Sequence, residues 1–182
     1  APPVLTIPPL VEAMASHLRP GAIVTDVGST KGALMRELRA LLPEHVDLVG
    51  GHPMAGSERG GVSASRADLF EGAVYVLTHS AGTRPENVAK LAALARALGA
   101  TPVEMDADLH DDAVARISHL PHVVAAALAE ATGAGPLPVE TLRLLVAGGF
   151  RSTTRIASSP PEMWGDVCLT NRTAIPAALG DL

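Results

Sequence analysis

The chain has 182 residues, 47% of them hydrophobic and 18% charged, with a formal net charge of -5; that is enough apolar material for one sizeable domain or two small ones, and too much for a disordered chain. The negative balance and an aromatic content of 2% exclude a general polyanion binder and a base-stacking nucleic-acid surface. One cysteine, Cys168, excludes an internal disulfide and a cysteine-based zinc site, and neither an apolar run of about 18 residues nor a basic n-region is present, so the expectation is a cytoplasmic protein without membrane or nucleic-acid partners.

In chain order, Ile7 to Leu18 carries apolar residues at helical spacing and ends near Pro20-Gly21. Ala22 to Val27 reads as a short strand running through Gly28-Ser29-Thr30 into a helix with Leu34, Met35, Leu38 and Leu41. Val46 to Gly50, Ala73 to Thr78 and Thr101 to Met105 read as further strands, with a helix over Pro85 to Leu98. Strands alternating with helices predict parallel α/β layering. From Asp106 the pattern is helical. Asp106 to Thr132 is long, and Pro121 inside it predicts a kink or a split. Pro138 to Val146 follows, then a Gly148-Gly149 break and a polar stretch. Ser159-Pro160-Pro161-Glu162 has capping-box spacing with proline at the first helical position, predicting another helix. The fold class is therefore α/β plus all-α: a partial, Rossmann-like parallel sheet over residues 1–105, followed by a helical part over residues 106–182.

Four stretches carry candidate chemistry. In Asp26-Val27-Gly28-Ser29-Thr30-Lys31 a strand turns through glycine into a helix N-terminus, whose free N–H groups suit an anion or polar ligand. The alternative is that Asp26 and Ser29 simply cap the helix. The leading glycine of a phosphate-binding P-loop is missing. In Gly51-His52-Pro53-Met54-Ala55-Gly56-Ser57-Glu58, a histidine among glycines and proline stands at a strand's carboxyl end, where open α/β sheets bind ligands, and an imidazole there can take a proton from a hydroxyl. In Ser118-His119-Leu120-Pro121-His122 the two histidines stand three apart on a helix. No third metal ligand lies nearby, so the expected reading is one cleft-lining histidine and one hydrogen-bonded core histidine, with no metal. In Gly148-Gly149-Phe150-Arg151-Ser152-Thr153-Thr154-Arg155-Ile156-Ala157 the arginines fall at i and i+4 if helical, a repulsive spacing unless an anion lies between them. Their planar forks suit a carboxylate, although a solvated basic face is the alternative. A hydrolase built on Ser29 and His52 is disfavoured, because no G-x-S-x-G elbow is present.

Taken together and in order, DVGSTKG, GGHPMAGSE, ISHLPHVVAAAL and GGFRSTTRIA with MWGDVCLTNR resemble the motifs of the prephenate dehydrogenase family from about residue 1 to 175. The resemblance implies oxidation of prephenate or arogenate by NAD or NADP, with loss of the ring carboxylate. It implies that His52 accepts the hydroxyl proton and that Ser29 hydrogen-bonds this histidine and the substrate. It places Arg155 on a substrate carboxylate, with Arg151 as a second basic residue, His122 in the substrate pocket and Glu58 at its mouth. Asp26, Gly28, Ser29 and Pro53 are expected at the cofactor, and a homodimer is the expected assembly. The family's G-x-G-x-x-G unit has no counterpart here, and Ala1-Pro2-Pro3 resembles the point after the family's fourth strand. The resemblance thus leaves a second expectation open, a substrate-binding or dimerising module without turnover. Ser152 stands where the family commonly has aspartate.

Overall fold

A computed structural model describes residues 2–56 and 65–182. Its elements are α1 (Ile7–Ala15), β1 (Ile23–Thr25), α2 (Gly32–Leu41), β2 (Asp47–Pro53), β3 (Val74–His79), α3 (Pro85–Ala97) and β4 (Thr101–Glu104). There follow α4 (Ala107–Val114), α5 (Leu120–Gly133), α6 (Val139–Leu145), α7 (Gly148–Thr154), α8 (Pro161–Thr170) and α9 (Ala174–Gly180).

The sheet runs in the order β1-β2-β3-β4. β1 pairs with β2 and β3 with β4 in parallel, but β2 and β3 are antiparallel. The parallel layering expected from the sequence holds for the outer two pairings and not for the middle one: no helix lies between β2 and β3 among the described residues, so β3 need not run parallel to β2. The core sits on both faces of the sheet because strand side chains alternate. Leu48 joins Val24, Leu34, Leu38, Ile7 and Val11 under α1 and α2. Val49, its neighbour, faces the other way and packs with Leu77, Val88, Leu91 and Ala95 under α3. Burying one such side chain contributes about 1.5–3 kcal/mol.

The helical part has its own small-residue core, with Ala115, Leu120, Ala174, Ile175 and Ala178 in contact. Its first helix opens on Asp106, whose carboxylate accepts the N–H groups of Asp108 and Leu109 at 2.9 and 3.0 Å, satisfying two orphan donors. The predicted break at Pro121 takes a particular form. Ala115–His119 is a π-helical turn between α4 and α5, and the chain stays helical throughout. Proline lacks the N–H that the regular ladder needs, and a wider turn just before it absorbs the defect.

The capping expectation at Ser159 is half right. α8 does begin at Pro161, but the Ser159 hydroxyl donates back to the Ile156 carbonyl at 2.8 Å rather than capping the helix. Hydrogen bonds fasten the helical part to the sheet part, two of them just before α1 and α2. Leu5 N–H donates to the Asp166 carboxylate at 3.0 Å, and the Thr30 hydroxyl donates to the Thr170 hydroxyl at 2.9 Å.

Candidate functional site

The site gathers where β1 and β2 end. Gly50 and Gly51 are required there by crowding. A side chain at Gly50 would meet Met35 Sδ and Thr78 Oγ1 at 2.5 Å, and one at Gly51 would meet the Asp26 carbonyl at 2.6 Å. The backbone therefore packs tightly up to His52, and the strand delivers the imidazole from a fixed base.

Asp26 and Lys31 lie behind it as a buried ion pair. The Asp26 carboxylate also accepts the N–H of Gly28 at 2.7 Å and that of Gly51 at 3.2 Å. The Lys31 ammonium donates to the Gly51 carbonyl at 2.8 Å. Burial pulls the Lys31 pKa down, opposed by the Asp26 charge and hydrogen bond. Breaking such a pair from one side typically costs about 3–5 kcal/mol. Asp26 is thus committed to holding the end of β1 against the residue before His52.

The start of α2 does hold an anion, and it is the chain's own. The N–H groups of Lys31 and Gly32 donate to the two oxygens of Asp111 at 2.7 and 2.8 Å. Asp111 Oδ1 also meets His110 Nδ1 at 2.8 Å, and His110 Nε2 meets His52 Nδ1 at 2.8 Å. An unbroken chain of contacts therefore runs from the α2 N-terminus through Asp111 and His110 to His52. Burial first, then the fields of His110, Lys31 and His119, push the His52 pKa down to about 3 against the opposing pull of Asp111.

Beyond this line, Asn171 at the end of α8 donates to the Asp111 carbonyl at 2.8 Å and meets His119 Nδ1 at 3.1 Å. His119 is buried, and burial lowers its pKa to about 4. His122, one turn on, lies flat against Trp164. Its Nδ1 and the Trp164 indole N–H are both buried without a partner among the described residues. Of the two histidines in this motif, His119 is the hydrogen-bonded one and His122 keeps an unused polar atom. Among the described residues no group of three His, Cys, Asp or Glu side chains is arranged to hold a metal ion.

The other sequence-derived candidates are placed as follows. Ser29 is half-buried between β1 and α2 and forms no hydrogen bond to His52, whose Nδ1 is taken by His110. Pro53 ends β2 and is buried, and Gly28 is buried in the turn. Arg151 lies on α7 and Arg155 opens the 3-10 turn Arg155–Ser158, both exposed, and this segment packs against α5, the helix of His122. Glu58 lies outside the described residues. Sequence reasoning missed His110 and Asp111. The signal was present but weak: α4 has few apolar residues for its buried face, which His110, Asp111 and Val114 complete.

A mostly parallel sheet with helices on both faces, a histidine at a strand's carboxyl end and an appended helical part define a nucleotide-linked dehydrogenase architecture. Comparison with known proteins narrows this. Residues 1–104 match the family described as prephenate dehydrogenase, nucleotide-binding domain, and residues 106–181 match prephenate dehydrogenase, dimerization domain. The chain belongs to the prephenate dehydrogenase family. It is 41% identical over 170 residues to a prephenate dehydrogenase of Bacillus subtilis, covering 93% of this chain and 46% of that protein. It is 35% identical over 174 residues to a cyclohexadienyl dehydrogenase of Zymomonas mobilis, covering 95% of this chain and 59% of that one. A solved structure of prephenate dehydrogenase from A. aeolicus, in complex with hydroxyphenyl propionate and NAD+, superposes with a TM-score of 0.92 at 35% identity, over 99% of this chain and 62% of its own. The chain thus spans about half the length of the curated relatives it matches.

Proposed function

We propose that this chain carries the substrate-binding and proton-accepting part of an NAD- or NADP-dependent dehydrogenase that converts prephenate to 4-hydroxyphenylpyruvate, or arogenate to tyrosine. His52 is the observation that carries the reading. It ends a strand at the carboxyl edge of the sheet, meets the helical part through His110, and is held neutral at physiological pH by burial. A neutral imidazole in that position is a base for a substrate hydroxyl.

In this reading residues 1–105 are the later part of a Rossmann-like nucleotide-binding domain and residues 106–182 the helical substrate and dimerisation domain. The half-buried Ser29 hydroxyl, unpartnered among the described residues, fits a role at the nicotinamide end beside Gly28 and Pro53, with Asp26 bracing them from behind. A nicotinamide bound there would supply the acceptor for the hydride of the carbinol carbon. His52 takes the hydroxyl proton while Ser29 orients the same oxygen. Arg155, seconded by Arg151, grips a substrate carboxylate. His122 lines the pocket. The ring carboxylate leaves as carbon dioxide, and its bonding pair completes the aromatic ring.

The test is nicotinamide reduction with prephenate and arogenate against NAD and NADP. Turnover is expected with at least one combination. His52→Asn is expected to lower it by about 10²–10⁴-fold without changing the melting temperature. Near-wild-type turnover in that variant removes His52 from the chemistry. A second reading, a binding or dimerising module without turnover, is supported by the match of residues 106–181 to a dimerization domain. Saturable prephenate binding with no turnover in any combination would select it.

A further inference from the structure

We propose that His110 and Asp111 form a positioning relay that holds His52 in the tautomer with its proton on Nδ1, so that Nε2 is the bare nitrogen presented to substrate. The inference rests on the reading of His52 as the base and says what makes it one.

The argument is a count of donors and acceptors. Asp111 is buried, and its carboxylate can only accept. It already takes the backbone N–H groups of Lys31 and Gly32, so its position is set by the start of α2 and not by the histidine. His110 Nδ1, 2.8 Å away, must therefore be the donor. In a neutral imidazole one nitrogen donates and the other accepts, which leaves His110 Nε2 as an acceptor. The partner of that nitrogen is His52 Nδ1, at 2.8 Å, and so His52 donates from Nδ1. Its own remaining nitrogen, Nε2, is then bare. A fixed carboxylate at one end thus sets the polarity of two imidazoles in series.

The relay also accounts for where charge goes during proton transfer. When Nε2 takes a proton, His52 becomes a cation whose Nδ1–H bond points at His110 and, through it, at the Asp111 carboxylate. The Nδ1 proton can move to His110 Nε2, leaving a neutral His52 and a His110 cation directly against Asp111. No bond other than N–H is made or broken. The groups facing His52 from the packed elements are Lys31, His110, His119 and Asp111, and Asp111 is the only one of them whose charge favours a cation there.

Substitution at His110 separates polarity from packing. The glutamine amide of His110→Gln can donate to Asp111 and accept from His52, which reproduces the relay without a titratable ring. The ring of His110→Phe fills the space and does neither. The tautomer is read on the full chain by nitrogen-15 histidine spectroscopy at pH 8, without cofactor or substrate. Wild type and His110→Gln are expected to show His52 with pyrrole-like Nδ1 and pyridine-like Nε2. His110→Phe is expected to show a mixture of tautomers. In nicotinamide reduction with prephenate, His110→Phe should lower kcat by about tenfold to a hundredfold with KM within about twofold, a fraction of the loss of the base itself. His110→Gln should restore kcat. Proton on Nε2 in the wild type at pH 8, or an unchanged tautomer in His110→Phe, overturns the relay. That result is independent of turnover, so it is distinguishable from failure of His52 as the base, which the His52→Asn rates decide.

Discussion

His122 and Trp164 stack face to face, with ring centroids 3.5 Å apart and planes 6° from parallel. Each keeps a buried nitrogen without a partner among the described residues, a state that costs about 1–3 kcal/mol per group. A stacked pair that tolerates this is suited to a ligand that brings its own hydrogen-bonding atoms. Trp164 is the chain's single tryptophan, so its emission reports on this stack alone. Adding prephenate should change that emission saturably in the wild type and should fail to do so in His122→Ala. Burial holds the His122 pKa below its ordinary value, and a protonated imidazole quenches indole. Quenching without ligand should therefore set in with a midpoint below pH 6.5.

Acid should destabilise the fold through its buried histidines. His52 and His119 have pKa values lowered to about 3 and about 4, from 6.5, chiefly by burial. Between about pH 4 and 6.5 the unfolded chain binds these protons and the folded chain does not, so stability rises with pH across that window and falls as the solution is acidified through it. Unfolding near pH 5 should take up about two protons from this pair. Melting temperature followed from pH 7 to pH 5 should decline, and His119→Gln should flatten the decline. A melting temperature independent of pH in this range would count against the burial of both rings.

The two arginines should separate by role. Arg151 is exposed, so Arg151→Gln should move the melting temperature by no more than about 2 °C, in line with ordinary surface substitutions. Losing a charge-assisted hydrogen bond of about 1.5–3 kcal/mol should raise KM for prephenate by roughly tenfold or more in Arg155→Gln, with a smaller rise in Arg151→Gln. Equal and negligible effects would return this segment to a solvated basic face.

α6 exposes two adjacent large apolar side chains. Leu144 and Leu145 are 85% and 77% exposed. Isolated leucines on a surface are ordinary, but neighbouring ones mark contact sites. A homodimer is expected by light scattering, and the double change Leu144→Asp with Leu145→Asp should shift it to monomer while leaving the helical content unchanged. A wild type that is monomeric at all concentrations would oppose the dimer.

Much of the fold was legible because it follows from local pattern. The helices over Leu34 to Leu41 and Pro85 to Ala97 show their apolar stripes directly, and the four strands lie within a few residues of their apolar runs. The direction of β3 was not legible, since strand periodicity is the same either way and the deciding connection is not itself a strand or helix in the described residues. The π-helical turn before Pro121 was legible only as a defect, because sequence shows that proline must break the ladder and not how the chain repairs it.

The site divides along the same line. His52, Ser29, His122 and the arginines announced themselves by sitting among glycines, prolines or like charges, where packing gives them no use. His110 and Asp111 sit in an ordinary capped helix, with His110 58 residues from His52, and only the scarcity of apolar residues on that helix hints that they are buried. By itself, the sequence singled out residues with the capacity for proton transfer and carboxylate binding, because residue type and immediate neighbours set those capacities. Only the tertiary structure decided which nitrogen of His52 is free to act, because that depends on a buried carboxylate and a second ring brought against it from another helix.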